Sequence, residues 1–265
     1  ADGQAGALKC VPLLPSFIGA FLGVRCGTFR PMSRAVAQFA VGFKIRRRKA
    51  CQFESGRGHH PHTLLMLPLP PVTQALMLIC SAVFCAQLLL PVGLMERFLA
   101  LWPLASGLFL PWQVISYAFL HGDFTHLFFN MLGLYMFGSE LERLWGTRRY
   151  LHVLAASVLA AAVAQLVVTL LLGSRGYTVG ASGALFGLLL AYGMLFPNRT
   201  IMPLIPPIPL KARTFVMVFG ALELLLGLFG PTGVAHFAHL GGMAGAWLMI
   251  SYWRGRLPFG SGRRR

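Results

Sequence analysis

The chain has 265 residues, of which 56% are hydrophobic and 11% charged, and its mean hydropathy is +0.68. A soluble domain carries about a quarter charged residues, so this composition argues against a soluble globular protein and favours a membrane protein. The net charge of +16 comes without the aromatic and basic motifs of a nucleic-acid-binding module, so we expect no nucleic-acid partner. In a membrane protein such an excess is typical of basic cytoplasmic loops.

The first 65 residues differ from the rest, because they hold ten of the 23 Lys and Arg residues and show weak periodicity. We interpret 1–65 as a basic, mostly disordered cytoplasmic extension, or as an over-extended start ahead of Met66. It does not have the form of a secretory signal peptide. The sequence predicts a membrane domain over 66–255 and a basic cytoplasmic tail over 256–265.

Six apolar runs separated by short polar loops follow from residue 73. Several are shorter than the roughly 20 residues of an isolated transmembrane helix, which a helix bundle tolerates because neighbouring helices share the burial. The sequence therefore predicts an all-α membrane protein with six transmembrane helices. The predicted spans are about 75–94, 124–141, 151–172, 181–196, 214–229 and 237–252.

The apolar stretch 98–120 is predicted to be an interfacial loop that dips into the bilayer. Pro103, Gly107 and Pro111 interrupt a helix there. The stretch also contains Trp and Tyr residues, which are enriched at the membrane interface. A seventh span is the alternative, and hydropathy by itself does not distinguish the two.

The distribution of basic residues predicts the orientation. With the N-terminus in the cytoplasm, the outer loops hold only Arg97 and Arg175, as the positive-inside rule expects. The C-terminus is then cytoplasmic too. The predicted inner segments hold the basic N-terminal region and Arg148, Arg149, Arg199, Lys211, Arg213, Arg254, Arg256, Arg263, Arg264 and Arg265.

In this topology the second, fourth and sixth spans begin outside, near His126, Ser182 and His239. Ser182 stands in a Gly-Ala-Ser-Gly sequence, which by itself is more typical of close helix packing than of catalysis. Two small-residue faces, Gly183 with Gly187 and Gly241 with Gly245, let helix backbones approach closely. Such packing would bring Ser182 within reach of a histidine, and a serine nucleophile needs an adjacent base.

Two histidines, His236 and His239, compete for the role of base. His239 precedes the glycines of the sixth span and is the better candidate, whereas we interpret His236 as a loop or interfacial histidine. His121, His126 and Asn130 form a third polar cluster, and the last two share one helix face because they are four residues apart. Their donors would suit an oxyanion hole, and interhelical hydrogen bonding is an equally good interpretation.

These motifs, taken together, resemble the rhomboid family of intramembrane serine proteases in order and spacing, over roughly residues 70–255. Each motif is unspecific by itself, but the combination is specific. The motifs are Leu120-His121-Gly122, His126-x-x-x-Asn130, Gly138-Ser139-Glu140-Leu141-Glu142, Gly180-Ala181-Ser182-Gly183 and Ala238-His239-Leu240-Gly241-Gly242-x-x-Gly245.

The resemblance implies a six-helix rhomboid bundle in which Ser182 is the nucleophile and His239 the general base. It implies an oxyanion hole formed by His126, Asn130 and the backbone N–H of Ser182. Phe186 matches an aromatic position that packs against the catalytic histidine, although many members have Tyr there. Gly180, Gly183, Gly241 and Gly245 support the site as parts of the motifs. Gln113, after Trp112, departs from the Trp-Arg that the family often has, so that arginine's contacts are not transferred.

A Ser-His dyad is the predicted mechanism, because the sequence offers no aspartate near the outer end apart from Asp123. Glu223 lies in the middle of the fifth span, where a bare charge is expensive, and it could be protonated, paired or near a substrate entrance. Glu140 and Glu142 are predicted to form an ion-pair network with the arginines beside them, Arg143, Arg148 and Arg149. The five cysteines are expected to form neither a disulfide nor a zinc site, and we expect no metal or cofactor. They are Cys10, Cys26, Cys51, Cys80 and Cys85.

The expected function is cleavage of single-span membrane proteins in the lipid bilayer. Localisation to a bacterial inner membrane is expected from the compact core, the loop charges and the absence of a recognisable transit peptide. A catalytically inactive rhomboid-like protein that binds membrane clients is one alternative. A small transporter is another, although its buried polar residues would extend through the whole membrane thickness.

Overall fold

A computed structural model describes residues 68–204, 207–229 and 235–255. The predicted N-terminal extension and C-terminal tail lie outside these ranges. Helix dominates the described residues, and nine α-helices are distinguished among them. They are α1 (Pro71–Leu89), α2 (Leu94–Leu99), α3 (Gln113–Ser116), α4 (Phe124–Gly133), α5 (Ser139–Trp145), α6 (Thr147–Leu172), α7 (Ser182–Leu195), α8 (Ala212–Phe229) and α9 (His236–Trp253).

Each of the six predicted apolar runs contains helix. The second run is made of α4, a π-helical turn over Leu134–Gly138 and α5, which follow one another without a break. The sequence did not predict the π-helical turn. The other five runs correspond to α1, α6, α7, α8 and α9, with boundaries within about five residues of the prediction.

The stretch 98–120 folds into short turns and not into one long helix. Besides the end of α2 and all of α3, it contains 3₁₀ turns at Leu104–Ser106 and Tyr117–Phe119. The side chain of Gln113 is fully buried at its centre. Its Oε1 accepts hydrogen bonds from the backbone N–H groups of Trp102 and Leu110, and its Nε2 donates to the carbonyl of Leu108. A neutral amide therefore organises this loop at the position where the family often has arginine.

The chain divides into two units, and the nine described α-helices belong to the larger one. The described part of the smaller unit is a hairpin of two short strands, Thr200–Ile201 and Leu210–Lys211. The strands pair antiparallel, with Thr200 opposite Lys211.

Large apolar side chains cover the outside of the helices. Among the described residues, three helices are long and apolar enough to cross a membrane: α1, α6 and α8. Only 17%, 39% and 17% of their most apolar windows is buried. Side chains such as Leu78, Leu170 and Met217 are more than half exposed. So much exposed apolar surface requires hydrocarbon and not water around it, which identifies an integral membrane protein.

Glycines on two faces of α9 bring three helices into backbone contact. A Cβ atom at Gly241 would lie 2.6 Å from Ala164 Cβ of α6, and one at Gly245 would collide with the Ala156 carbonyl, also of α6. A Cβ at Gly242 would collide with the carbonyl of Gly183 on α7. The predicted Gly241 and Gly245 face therefore packs on α6, and Gly242 provides the close approach to the serine-bearing helix.

The two glutamates of the second run have different roles, and the partner of Glu140, Arg199, was not among the arginines expected to pair with them. Glu140 does form an ion pair with Arg199, and it accepts a hydrogen bond from the Tyr192 hydroxyl. Glu142 is buried and lies at the start of α1. It accepts hydrogen bonds from Val72 N at 3.0 Å and from Thr73 N and Oγ1 at 2.7 and 2.8 Å.

Glu142 thus supplies the N-terminal cap that α1 lacks locally, since Pro70 precedes the helix without a side-chain cap. We expect Glu142→Ala to lower the free energy of unfolding by about 2–4 kcal/mol, because it leaves buried N–H groups unpaired. Denaturation of the detergent-solubilised protein measures this. Glu140→Ala is the matched control, with an expected loss of about 0–1 kcal/mol for a partly exposed ion pair. Equal losses in the two variants would contradict this assignment.

Candidate active site

Ser182 is the first residue of α7, and a glycine with positive φ lies two residues earlier, where the chain turns into the helix. Gly180 has φ +121°, a backbone conformation that favours glycine. Its N–H donates to the carbonyl of Tyr117. A Cβ atom at Gly180 would lie 2.6 Å from His126 Nε2 and 3.7 Å from Ser182 Oγ. The missing side chain therefore leaves room for His126 beside the serine.

His239, in the first turn of α9, contacts the serine directly. Its Nε2 lies 2.7 Å from Ser182 Oγ, a hydrogen-bond distance between residues 57 positions apart in the chain. The close approach of α9 to α7 at Gly242 and Gly183 makes this contact possible. The structure thus brings together the serine and the histidine that the sequence singled out.

Phe186, one turn after Ser182, stacks on the His239 ring. The two ring centroids are 4.3 Å apart and the planes are inclined by 7°. This parallel contact limits rotation of the imidazole about its side-chain bonds. A phenylalanine does so by packing alone, since it has no hydroxyl.

His126 and Asn130 lie on α4, whose N-terminus is capped by Asp123 accepting from His126 N at 2.8 Å. His126 Nδ1 accepts a hydrogen bond from Gly122 N at 3.4 Å, so the neutral ring carries its proton on Nε2, the atom beside Gly180. Asn130 is buried, and its Nδ2 donates to the His126 carbonyl at 2.8 Å. His126 therefore presents a donor near Ser182, whereas this Asn130 bond is made to the backbone of its own helix.

His121 lies in the loop before α4, with its ring centroid 5.2 Å from that of His126. Burial, aided by the neighbouring His126, lowers the pKa of His121 to about 4. The ring is therefore neutral at neutral pH and adds no charge to the site.

Glu223 and His236 are the residues that sequence analysis considered but did not assign to the site. Glu223 Oε2 lies 2.8 Å from His239 Nδ1 and 2.8 Å from His236 Nδ1. His236 was expected in a loop near water, but it is the first residue of α9 and is buried. Of the options left open for Glu223, the structure shows pairing. The one available signal was the cost of a lone carboxylate in an apolar run, which predicts a partner without naming it.

One group in the described part of the chain offers three metal-ligating atoms within 4.8 Å of one another. It consists of Glu223, His236 and His239. Each histidine Nδ1 is at hydrogen-bond distance from one carboxylate oxygen. Two direct hydrogen bonds therefore account for the positions of all three side chains.

The part of the chain that holds the candidate site is similar to known proteins. Residues 110–256 match the family described as Rhomboid domain. The chain is 28% identical over 187 residues to Rhomboid protease GlpG of Yersinia pestis, which covers 69% of this chain and 62% of that protein. It is 37% identical over 99 residues to Rhomboid protein 1, mitochondrial, of Saccharomyces cerevisiae, which covers 37% of this chain and 29% of that protein.

The chain thus spans less than two thirds of the length of the Yersinia relative. The family match nevertheless covers more than half of this chain and includes Gln113, Ser182 and His239. With its apolar exterior, it is an integral membrane protein of the rhomboid family.

Proposed function

We propose that this chain is an intramembrane serine endopeptidase that cleaves single-span membrane proteins in or near their membrane segments. The observation that carries the proposal is the 2.7 Å contact between Ser182 Oγ and His239 Nε2. A serine hydroxyl is a weak nucleophile at neutral pH unless a base removes its proton. The name of the Yersinia relative, Rhomboid protease GlpG, agrees with this function.

In the proposed reaction His239 Nε2 accepts the proton of Ser182 Oγ as this oxygen attacks the substrate carbonyl carbon. The C–N bond then breaks, and the imidazolium gives its proton to the departing amine. The acyl-enzyme is hydrolysed when His239 deprotonates a water molecule that attacks the ester. The bond from the carbonyl carbon to Ser182 Oγ then breaks, and His239 returns the proton to this oxygen. These reaction steps need one base, which serves in both halves of the reaction, and they need no cofactor.

The negative charge that develops on the carbonyl oxygen needs preorganised donors. His126 Nε2–H and the backbone N–H of Ser182 are the donors that best fit this role, because Gly180 leaves His126 next to the serine. Asn130 would contribute its second amide hydrogen, since one is engaged by the His126 carbonyl. Gly180 leaves room for the His126 ring, Gly183 lets α7 approach α6, and Gly241 and Gly245 let α9 approach α6.

The proposal includes six transmembrane helices, with both termini in the cytoplasm of a bacterial inner membrane. The second span is then α4 to α5, and the stretch 98–120 is the interfacial loop. Ser182 and His239 stand in the first turns of α7 and α9, so water reaches them from the outer surface. The substrate reaches Ser182 and His239 from the lipid bilayer.

Cleavage of a tagged single-span membrane substrate by the detergent-purified protein tests the function. We expect wild type to cut and Ser182→Ala to be silent, with loss of labelling by a fluorophosphonate probe. Removing a catalytic serine lowers kcat by about 10⁶-fold in serine proteases. If wild type neither cuts several such substrates nor reacts with the probe, the rival function as an inactive client-binding protein would take precedence.

A further inference from the structure

We propose that Glu223 completes a Ser182–His239–Glu223 triad, as a positioning residue that orients His239 and stabilises its protonated form. This inference rests on the proposed protease function and adds a residue to it. The two contacts of the His239 ring lie on opposite nitrogens, with Ser182 Oγ 2.7 Å from Nε2 and Glu223 Oε2 2.8 Å from Nδ1.

The carboxylate decides which nitrogen of His239 carries the proton. An ionised carboxylate accepts hydrogen bonds and cannot donate, so the proton of the neutral ring is held at Nδ1. The lone pair of Nε2 then faces Ser182 Oγ, as a general base requires. When the hydroxyl proton of Ser182 has moved to Nε2 and Nδ1 keeps its own proton, the imidazolium is paired with Glu223 in a poorly solvated site, where the attraction is stronger than in water.

Two glycines of α8, one on each side of Glu223 along the helix, face α9. Gly220 and Gly227 lie three residues before and four residues after Glu223, on the same helix face. A Cβ at Gly220 would lie 3.3 Å from Met243 Cε, and one at Gly227 would lie 3.0 Å from the Phe237 ring. These two glycines let α8 approach α9 on both sides of Glu223.

Burial gives the carboxylate a reason to be paired. The Glu223 side chain is only 13% exposed, and that of His239 10%. A charge in this position is costly unless hydrogen-bond donors satisfy it. His236 supplies the second donor to the same oxygen, Oε2, and thereby fixes the direction of the carboxylate. His239 is then held by Ser182, Glu223 and the stacked ring of Phe186.

Replacing Glu223 by glutamine tests the proposal with little change of volume. The amide can donate to Nδ1, which favours the tautomer with the proton on Nε2, the wrong one for a base. We expect kcat to fall by about 10²- to 10⁴-fold, as when the orienting carboxylate of a serine protease becomes an amide. KM and the melting temperature are expected to stay near wild type. Glu223→Asp, which keeps the charge, is expected to retain more activity than Glu223→Gln.

Glu140→Gln is the matched control, because Glu140 pairs with Arg199 and contacts neither histidine. Wild type and Ser182→Ala are assayed beside it. If wild type cuts, Ser182→Ala is silent and Glu223→Gln keeps wild-type kcat, the triad is overturned while the protease function stands. If wild type itself does not cut or label, both proposals fall.

Two further measurements decide the outcome should Glu223→Gln fold poorly. ¹⁵N NMR of histidine-labelled wild type reports the tautomer, and a neutral His239 with its proton on Nε2 would overturn the triad. Treatment with EDTA distinguishes a hydrogen-bonded carboxylate from a metal site formed by Glu223, His236 and His239. We expect activity to survive EDTA, and inactivation that Zn²⁺ reverses would also overturn the proposal.

Discussion

We expect His239→Ala to lower kcat for cleavage of a membrane substrate by about 10⁴- to 10⁶-fold, because the base for both halves of the reaction is lost. His236→Ala is expected to lose far less. Both histidines contact Glu223, but only His239 is hydrogen-bonded to Ser182. The pair of variants therefore separates contact with the nucleophile from contact with the carboxylate.

The comparison uses the same substrate and detergent for both variants, with the melting temperature as the control for folding. Labelling by a fluorophosphonate is a second readout, since it depends on the nucleophilicity of Ser182 and not on binding of a protein substrate. Equal losses of kcat and labelling in the two variants would contradict the assignment of His239 as the base. So would a loss confined to His236→Ala.

We expect Gly242→Ala to abolish most cleavage and to destabilise the protein, although residue 242 contacts no substrate in the proposed mechanism. Its new methyl group would collide with the backbone carbonyl of Gly183, next to the nucleophile. Backbone yields less readily than a side chain, so α7 and α9 must move apart. Overpacking costs about 1–3 kcal/mol or more, and a displacement of about 1 Å at the reacting atoms can cost 100-fold in rate.

Gly176→Ala is the control for this variant. A methyl group at Gly176, in the loop between α6 and α7, would have no neighbour within 4 Å, so the helix contacts stay as they are. Thermal unfolding and kcat measured for both variants test the difference. A Gly242→Ala protein with the melting temperature and kcat of wild type would show that the two backbones are not in contact.

The helices were largely predictable because apolar runs and helix-breaking residues are local signals. Pro103, Gly107 and Pro111 indicated correctly that 98–120 is not one long helix. The close approach of helices was also predicted, but not its partners. Gly241, Gly242 and Gly245 all stand on one helix, and only the rotation of α9 decides which of them faces α6 and which faces α7.

The nucleophile and base of the candidate site could be chosen from motifs, whereas the carboxylate could not. Glu223 lies six residues before Phe229, the end of α8, and His239 lies three residues after His236, the start of α9. Sequence analysis placed Glu223 in the middle of its run and so at the wrong depth for His239. The depth of a residue in the bundle depends on where its helix ends. The predicted run 214–229 ends at the same residue as α8, so Glu223 could have been placed closer to the outer end.

The cap on α1 has a consequence for the order in which the chain assembles. Glu142 lies 70 and 69 positions after Val72 and Thr73, whose N–H groups it accepts. At about 5–20 residues per second, the ribosome adds Glu142 roughly 4–14 s after the first turn of α1. During that interval water must solvate the open end of α1. α1 is therefore made before its cap, and its first N–H groups gain their protein partner only when α5 has followed.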